Sequence, residues 1–386
     1  MNQFSSVFGQ ILQIFPKTQF YSAVNETKSE KGAKGFTCWG QFVAMLFCQL
    51  GQARSLREIC GGLSSCLGKL KHLGINAAPS RSTLSYANEK RPWQLYEKVF
   101  YQLLGICRPI APGKKFRFKN KLYSLDASVI DLCATLFDWA TFRRTKGAVK
   151  LHLLLDHDGY LPVFANITEG SVHEINIAKS LSFPKGSIVV CDKGYTDFSL
   201  FAGWNGEGAY FVTRQKENAD YEVVEERPVP KGRDILKDQI IVLTGRLSKK
   251  RYPHRLRRIE AWDLESGETV VLLTNHLTFG ATTIAAAYKD RWQIEIFFKT
   301  IKQNLRIKTF VGTSANALKT QIWTALIAIL LLKYLKFRSS FGWSISNLVA
   351  MLRYNLFTYR DLWTWIDSPY ETPPLVPTGE QLALAL

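Results

Sequence analysis

The stretch that decides the fold is GSIVVCDKGY, residues 186–195. Its apolar run, 188–191, ends at Asp192, as expected of a central strand that is buried on both faces. Upstream, KLYSLDASVIDL (121–132) alternates and is rich in residues that favour strands, and AVKLHLLLDHDGYLPVFANIT (148–168) contains two strands joined by a tight turn. These patterns predict four strands around residue 190.

Two helical stretches and a fifth strand complete the pattern. SVHEINIAKSLSF (171–183) and TDFSLFAGWNGEG (196–208) have helical spacing, and AYFVTR (209–214) is typical of a strand. The order β-β-β-α-β-α-β predicts an α/β fold with an open mixed sheet and helices on its faces. From about 216 to 270 the sequence is polar and strand-like, which indicates an inserted β-rich region.

The net charge of +18 over 386 residues indicates a polyanionic partner, most simply nucleic acid. Residues 1–120 carry 17 Lys or Arg against 5 Glu and no Asp, so two thirds of the surplus lies in the first third of the chain. The alternative is a soluble protein with a positively charged surface and no such partner.

The basic N-terminal region has a helical pattern. Ser55 is a plausible N-cap, with Glu58 completing a capping box, and Ser80 or Ser82 could begin a further short helix. A short helix, a turn and a second polar helix are compatible with a helix-turn-helix, although ordinary helical pairs share this pattern.

The cysteines and the apolar runs indicate a cytoplasmic protein without a membrane span. The seven cysteines include no CxxC pair, and several lie in apolar stretches, so buried free thiols are expected. The run IWTALIAILLL (322–332) is too short to cross a bilayer and predicts a buried helix.

Two aspartates lie where buried strands are expected. Asp126 is inside the first strand and Asp192 ends the fourth, and a carboxylate in such a place needs a partner, a proton or a metal. Taken singly, each is more simply interpreted as a turn or capping aspartate. If the sheet has the order 3-2-1-4-5 of ribonuclease-H-like folds, the two strands are neighbours and the two carboxylates converge.

The stretch AAAYKDRWQIEIFFKTIKQNL (285–305) predicts one amphipathic helix. At about 100° per residue, four polar residues fall within an arc of about 60° beside the apolar face: Tyr288, Arg291, Glu295 and Lys302. A carboxylate on that border can join the two aspartates. Three acids so close require divalent cations between them, and two Mg²⁺ or Mn²⁺ ions about 4 Å apart suit in-line phosphoryl transfer.

The pattern Tyr-x2-Arg-x3-Glu-x6-Lys on these four residues resembles the signature of DDE transposases of bacterial insertion sequences, in the family typed by insertion sequence 4. CDKGYTD (191–197) is similar to the second-aspartate motif of that family and LDAS (125–128) to its first. The resemblance covers nearly the whole chain. It implies an α/β fold with a ribonuclease-H-like mixed-sheet catalytic core, a β-rich insertion and a preceding helical DNA-binding domain.

The resemblance also implies a domain organisation. The expected parts are a helical, basic DNA-binding domain (1–115), the first part of the core (116–215) and the insertion (216–275). The second part of the core (276–340) carries the glutamate helix and the helix after it, and a C-terminal region (341–386) follows. The 102 residues between Asp192 and Glu295, against 65 between the two aspartates, leave room for the insertion.

By resemblance, Asp126, Asp192 and Glu295 are the catalytic residues and bind two Mg²⁺ or Mn²⁺ ions. Tyr288, Arg291 and Lys302 are expected to contact DNA near the cut, and Lys193, Arg214 and Lys319 are further candidates for DNA contact. His152 and His173 are weaker candidates, for which a structural hydrogen bond is the simpler interpretation.

The function implied is a DNA transposase that cleaves the ends of its element and joins them to target DNA by cut and paste, often through hairpin ends. Its partners are the terminal inverted repeats and the target DNA, bound by a homodimer on paired ends, with no membrane. Its location is the cytoplasm, on the nucleoid when bound to DNA. The alternatives are a catalytically silent DNA-binding regulator and a metal-dependent nuclease without strand transfer.

Overall fold

The computed structural model describes residues 5–371, apart from 67, 134, 138, 144, 145, 266, 306 and 308. Of the predicted C-terminal region (341–386), residues 372–386 lie outside the described part of the chain. The chain begins with six helices: α1 (Val7–Gln13), α2 (Lys17–Thr27), α3 (Cys38–Leu50), α4 (Leu56–Ser64), α5 (Arg81–Lys90) and α6 (Gln94–Cys107).

A run of strands with two short helices follows. Its elements are β1 (Leu122–Leu132), β2 (Thr141–Arg143), β3 (Lys146–Asp156), β4 (Leu161–Glu169), α7 (Glu174–Ala178), β5 (Ile188–Cys191), α8 (Phe198–Gly206) and β6 (Tyr210–Arg214). Next come β7 (Tyr221–Glu226), β8 (Ile235–Leu243), α9 (Arg246–Arg251), β9 (Leu256–Asp263) and β10 (Glu268–Thr274). The last helices are α10 (Ala281–Lys289), α11 (Trp292–Asn304), α12 (Ala315–Arg338), α13 (Ile345–Asn355) and α14 (Leu362–Asp367).

The five core strands have the predicted order. β3 lies between β4 and β1, and β5 and β6 continue on the other side of β1. The pairs β1–β3 and β3–β4 are antiparallel, whereas β1–β5 and β5–β6 are parallel. Counted without the three-residue β2, the order is 3-2-1-4-5, so the ribonuclease-H-like mixed sheet is confirmed.

The inserted strands extend the core sheet. β10 pairs antiparallel with β6, and β9, β8 and β7 follow in turn, so the described residues form one ten-stranded sheet. The outer edge of β6 would otherwise present unpaired backbone donors and acceptors, which β10 satisfies. The predicted β-rich insertion is therefore present as a continuation of the core sheet.

Helix α12 occupies the centre of the molecule. It has 24 residues and is long and apolar enough to cross a membrane by length and composition alone, but 83% of its most apolar window is buried inside the protein. It contacts α3, α5 and α6 on one side and α11 and α13 on the other. The prediction of a buried helix is confirmed, although the helix extends beyond 322–332 at both ends.

The hydrophobic core joins the N-terminal helices to the sheet. One cluster of buried side chains contains Trp39 and Phe100 of the N-terminal helices, Leu151 and Leu153 of β3, and Trp323 of α12. This cluster spans the predicted domain boundary near residue 115. That boundary and the others along the chain stay predictions.

The local signals in the N-terminal region are present in the structure. Ser55 Oγ accepts from the Glu58 N–H at 3.2 Å and caps α4, and Ser80 Oγ caps α5 by accepting from the Thr83 N–H at 3.1 Å. Five of the seven cysteines are buried, and all seven are free thiols, as predicted.

The single helix predicted over 285–305 is wrong. Two helices, α10 and α11, meet at Asp290 and Arg291. There the Arg291 N–H donates to the Tyr288 carbonyl at 3.0 Å, a bond three residues back that tightens the turn and interrupts the α-helical ladder. The predicted arc of polar residues is therefore divided between two helices.

His152 is buried in β3, where only 1% of it is exposed. Its Nε2 lies 2.9 Å from Thr168 Oγ1 on β4, so the simpler interpretation of this residue, a structural hydrogen bond, describes its environment. His173 likewise caps α7 by accepting from the Ile175 N–H at 3.3 Å.

Burial, reinforced by the charge of Lys150, lowers the pKa of His152 from 6.5 to about 4. As the pH falls, His152 becomes protonated in the unfolded chain before it does in the folded protein. The free energy of unfolding therefore decreases as the pH falls from 6.5 to 4. That loss amounts to about 3 kcal/mol at most.

His152→Gln should remove this part of the acid sensitivity in urea unfolding measured at pH 7 and pH 4.5. The exposed His72→Gln should behave like the parent protein. If both variants lose stability in acid as steeply as the parent, His152 does not titrate in this way.

Candidate active site

The pairing of β1 with β5 brings the two aspartates together. These strands are parallel, and Leu125 lies opposite Cys191 in the register. One residue further along each strand are Asp126 and Asp192. Because neighbouring strands are about 4.8 Å apart, the two carboxylates lie at adjacent positions on the same edge of the sheet.

Asp126 has an unusual environment for an acid. Its Oδ1 accepts from the Ala127 N–H at 2.8 Å, and its side chain is only 20% exposed. Burial raises the pKa of Asp126 to about 7, and the nearby charges of Asp192 and Glu295 add to this rise, although the Ala127 N–H and Arg291 oppose it. The shift marks a buried cluster of like charges.

Arg291 bridges two of the three acids. Its guanidinium lies 3.4 Å from Asp126 Oδ2 and donates to Glu295 Oε1 at 2.6 Å. Its Nε is buried and has no hydrogen-bond partner among the described residues. The guanidinium therefore neutralises part of the cluster and keeps one donor unused.

Glu295 reaches this edge because α11 packs against β1. Ile294, Phe297, Phe298 and Ile301 are buried on one face of the helix, and Glu295 lies on the border of that face, one third exposed. The predicted position of the glutamate relative to the apolar face is the one observed.

Tyr288 and Arg214 lie beside the cluster. The guanidinium of Arg291 is 5.7 Å from the centre of the Tyr288 ring, close enough for a cation–π contact. Burial raises the pKa of Tyr288 to about 12, against the opposing charges of Arg291 and Arg214. Arg214 ends β6, and its charge is near enough to Tyr288 to affect that phenol.

The predicted lysines have three different surroundings. Lys302 Nζ donates to the Val129 carbonyl at 2.8 Å and so ties the last turn of α11 to β1. Lys193 is exposed in the turn directly after Asp192. Lys319 lies on α12, with its Nζ 4.8 Å from the centre of the Trp93 ring, so its recorded contact is with the helical part of the molecule.

The three acids have the ligand atoms that a hard divalent cation prefers, but their side chains are not arranged around a common ion position. Three carboxylates supply the oxygen ligands that Mg²⁺ and Mn²⁺ prefer, and burial, which raises the pKa of Asp126, leaves that carboxylate poorly solvated. Among the described residues, however, no three acidic, histidine or cysteine groups stand close enough to hold an ion. The Glu295 carboxylate is bonded to the Arg291 guanidinium instead.

Sequence reasoning missed a buried polar chain behind the acids. Ser124 Oγ lies 2.8 Å from His157 Nε2, and His157 Nδ1 lies 2.6 Å from Asp290 Oδ2. All three residues are at most 3% exposed. Ser124 precedes Asp126 by two residues on β1, and Asp290 adjoins Arg291, so the chain ties the strand of one acid to the turn that carries the arginine.

Asp290 is the charged end of this chain. Burial would raise its pKa, but hydrogen bonds from His157 and Lys115 hold the pKa of the carboxyl below its usual value. Tyr160 also donates to its Oδ2 at 3.1 Å. His157 and Asp290 are 133 positions apart in the chain, so no local pattern predicts that they pair. The sequence does show each of them separately, His157 in the turn DHDGY and Asp290 directly before Arg291.

Comparison with known protein families identifies the class. Residues 117–331 match the model described as a transposase DDE domain, and residues 3–76 match a domain of unknown function, DUF4372. The DDE model covers more than half of the chain. The chain therefore belongs to the DDE transposases, enzymes that cut and join DNA.

Two relatives agree with this assignment. The Sinorhizobium fredii protein y4zB, named as a transposase, is 30% identical over 83% of this chain and 89% of its own length. Transposase InsG of insertion sequence element IS4 from Escherichia coli is 25% identical over 38% of this chain and 34% of its own length. The predicted resemblance to transposases of insertion sequences, including IS4, is confirmed.

A solved structure shares a distant likeness. The piggyBac transposase in a synaptic complex with hairpin DNA, determined by cryo-electron microscopy, has a TM-score of 0.42 and 10% identity, over 96% of this chain and 81% of that one. The fold assignment here rests on the strand order and the family match instead.

Asp290→Asn should weaken the buried chain by removing its charge. We expect the free energy of unfolding to fall by about 2–3 kcal/mol, because hydrogen bonds to a buried charge are among the strongest in a fold. Urea unfolding at pH 7 measures the change. The matched control is Asp234→Asn, at an exposed position, which should stay within about 0.5 kcal/mol of the parent. Equal stability of the two variants would contradict the anchoring role.

Proposed function

We propose that this transposase cleaves DNA at the ends of an insertion sequence and joins those ends to target DNA, using Asp126, Asp192 and Glu295 as its metal ligands. The observation that carries the proposal is the meeting of Asp126, Asp192, Arg291 and Glu295 at one edge of the sheet. A buried acid whose pKa is raised by desolvation, with two further acids close to it, is typical of sites built to bind cations.

The three acids would hold two Mg²⁺ or Mn²⁺ ions. When bound, such a pair activates the attacking oxygen and stabilises the leaving oxygen of an in-line displacement. For this, the Glu295 side chain turns from Arg291 toward the two aspartates, a rotation about its own bonds that leaves α11 in place. Asp126 and Asp192 need no movement of their strands, because the β1–β5 register already makes them neighbours.

Arg291 has two roles in this proposal. Without cations, its guanidinium offsets the charge of Asp126 and Glu295. Once Glu295 has turned away, the same guanidinium has donors free for a phosphate of the bound strand, in addition to its unused Nε. Tyr288, which stacks beside it, would orient that contact.

The remaining predicted DNA contacts differ in the support that they have. Lys193 and Arg214 lie next to Asp192 and Tyr288, within reach of a strand bound at the acids. Lys302 supports the site by holding α11 on β1, and it would contact DNA only through donors beyond that bond. Lys319 lies beside Trp93, so its contact with DNA would be on the side of the N-terminal helices.

The DNA partners are the terminal inverted repeats of the element and the target. Two ends must be cut for cut-and-paste transfer, so a homodimer on paired ends is the simplest assembly, and hairpin ends are one route. The enzyme would act in the cytoplasm, on the nucleoid when bound to DNA. The net charge of +18 supports a DNA partner and predicts that binding weakens steeply with salt.

Asp126→Asn tests the site most directly. The purified protein is mixed with DNA carrying the inverted repeats that flank its own gene, with Mg²⁺ or with EDTA. The parent should cut at the repeat boundary only with the metal and join the ends to a second DNA. Asp126→Asn should lose on the order of 10³-fold in cleavage rate, since a ligand of the metal is lost, while DNA binding is retained.

The matched control is Asp131→Asn, the same change at an exposed position on the same strand, which should cut like the parent. Cleavage by Asp126→Asn at the parent rate would remove this residue from the site. Binding without cutting by the parent would indicate a silent regulator, and cutting without joining or boundary preference would indicate a nuclease.

A further inference from the structure

An open groove of about 880 Å³ lies between the N-terminal ends of α4 and α5, away from the acids. Arg54 and Arg57 line it on the α4 side and Arg81 on the α5 side. All three side chains are exposed, and within the described part of the chain none of them forms an ion pair. Three guanidinium groups around one concave surface form a concentrated positive charge.

Hydroxyl groups fill the space between the arginines. Ser82 and Ser85 line the α5 side and are exposed, so both can turn their hydroxyls toward a ligand. Glu58 is in the first turn of α4, but its Oε2 accepts from the Arg54 N–H at 3.0 Å, so its charge is engaged at the helix end. Arginine guanidinium groups and serine hydroxyls together donate hydrogen bonds that suit phosphate oxygens.

The floor of the groove belongs to the catalytic half of the chain. Phe310 and Val311 line it, six and seven residues after the end of α11. The Val311 N–H donates to Gln321 Oε1 on α12 at 2.9 Å, which fixes this segment on the central helix. The groove is therefore attached to the central helix α12, which follows the helix of Glu295 in the chain.

One face of α11, the helix that carries Glu295, is open to solvent. Trp292, Ile296, Lys299 and Gln303 are exposed at helical spacing along it. The helix extends about 14 Å from Glu295 to its end, at 1.5 Å per residue. This face is accessible to a DNA strand that is bound at the acids.

We propose that this groove, which we call the Arg54/Arg57/Arg81 groove, binds backbone phosphates of the DNA that the enzyme cuts, outside the cleavage site. The inference rests on the proposed function for its substrate and adds the place where the N-terminal region holds it. The groove is open and carries three arginines, so a continuous polyanion fits it better than a single enclosed anion. α5, with Tyr86 exposed on its outer face, then lies against the duplex.

The test is the salt dependence of DNA binding by a variant in which all three arginines are changed to glutamine. Binding to a terminal-repeat duplex is measured by fluorescence anisotropy from 50 to 300 mM salt, in EDTA so that no cutting occurs. Each lost phosphate contact lowers the slope of log K against log salt by about 0.9, so the variant should lose about 3 units of slope.

The control removes the same charge elsewhere. Lys249, Lys250 and Arg251 of α9 are also exposed, and changing all three to glutamine matches the loss of net charge. This control should keep most of the parent slope. A control that loses as much slope as the groove variant would reduce the effect to net charge, and an unchanged groove variant would overturn the proposal.

Two further measurements separate loss of folding and binding of a small anion from the proposed DNA contact. Arg57→Gln alone should lower the slope by about 1 unit, and it serves if the triple variant fails to fold. Thermal stabilisation by inorganic phosphate, lost in the groove variant while the DNA slope is unchanged, would show a small-anion site instead. If the parent binds DNA with the expected slope but never cuts with Mg²⁺, the proposed function fails and the groove stands.

Discussion

The guanidinium of Arg291 offsets the charge of two partly buried carboxylates, those of Asp126 and Glu295, beside a third acid, Asp192. Asp126 and Asp192 are forced together by the parallel pairing of β1 with β5, and burial with like charge raises the pKa of Asp126 to about 7. Arg291 offsets part of this cost through Asp126 and Glu295. Its position requires the turn between α10 and α11, so the electrostatics of the site depend on one irregular point in the backbone.

The turn between α10 and α11 is fixed by buried hydrogen bonds. Asp290 is buried and bound by His157, which in turn contacts Ser124 on β1, so the strand and the turn share one hydrogen-bonded chain. A straight helix through 285–305 would rotate Asp290 away from His157 and leave buried polar groups unpaired, which costs more than the helical bond that the turn gives up. The irregularity is thus the arrangement that satisfies both the acid and its neighbour.

The sequence predicts the elements with strong local signals. The apolar run 188–191 and the alternating strands before it predict the core strands, and the capping serines mark α4 and α5. The order 3-2-1-4-5 comes from the likeness to ribonuclease-H-like folds, not from these patterns. The side of α11 on which Glu295 lies follows from helical spacing. What could not be predicted depends on distant contacts: the break at Asp290, since every residue from 288 to 295 tolerates a helix, and the pairing of β10 with β6. The contact of Lys319 with Trp93 is of the same kind.

The central helix α12 packs the N-terminal region and the core against each other. α12 follows the catalytic helix in the chain and packs against α3, α5 and α6 as well as α11, with Trp323 buried in the shared cluster. A DNA contact at α5, as proposed for the groove, would therefore be fixed relative to Glu295 by packed side chains and not by a linker. Because small errors of position at a reacting phosphate reduce rates strongly, such packing between the proposed DNA-binding groove and the acids would support catalysis.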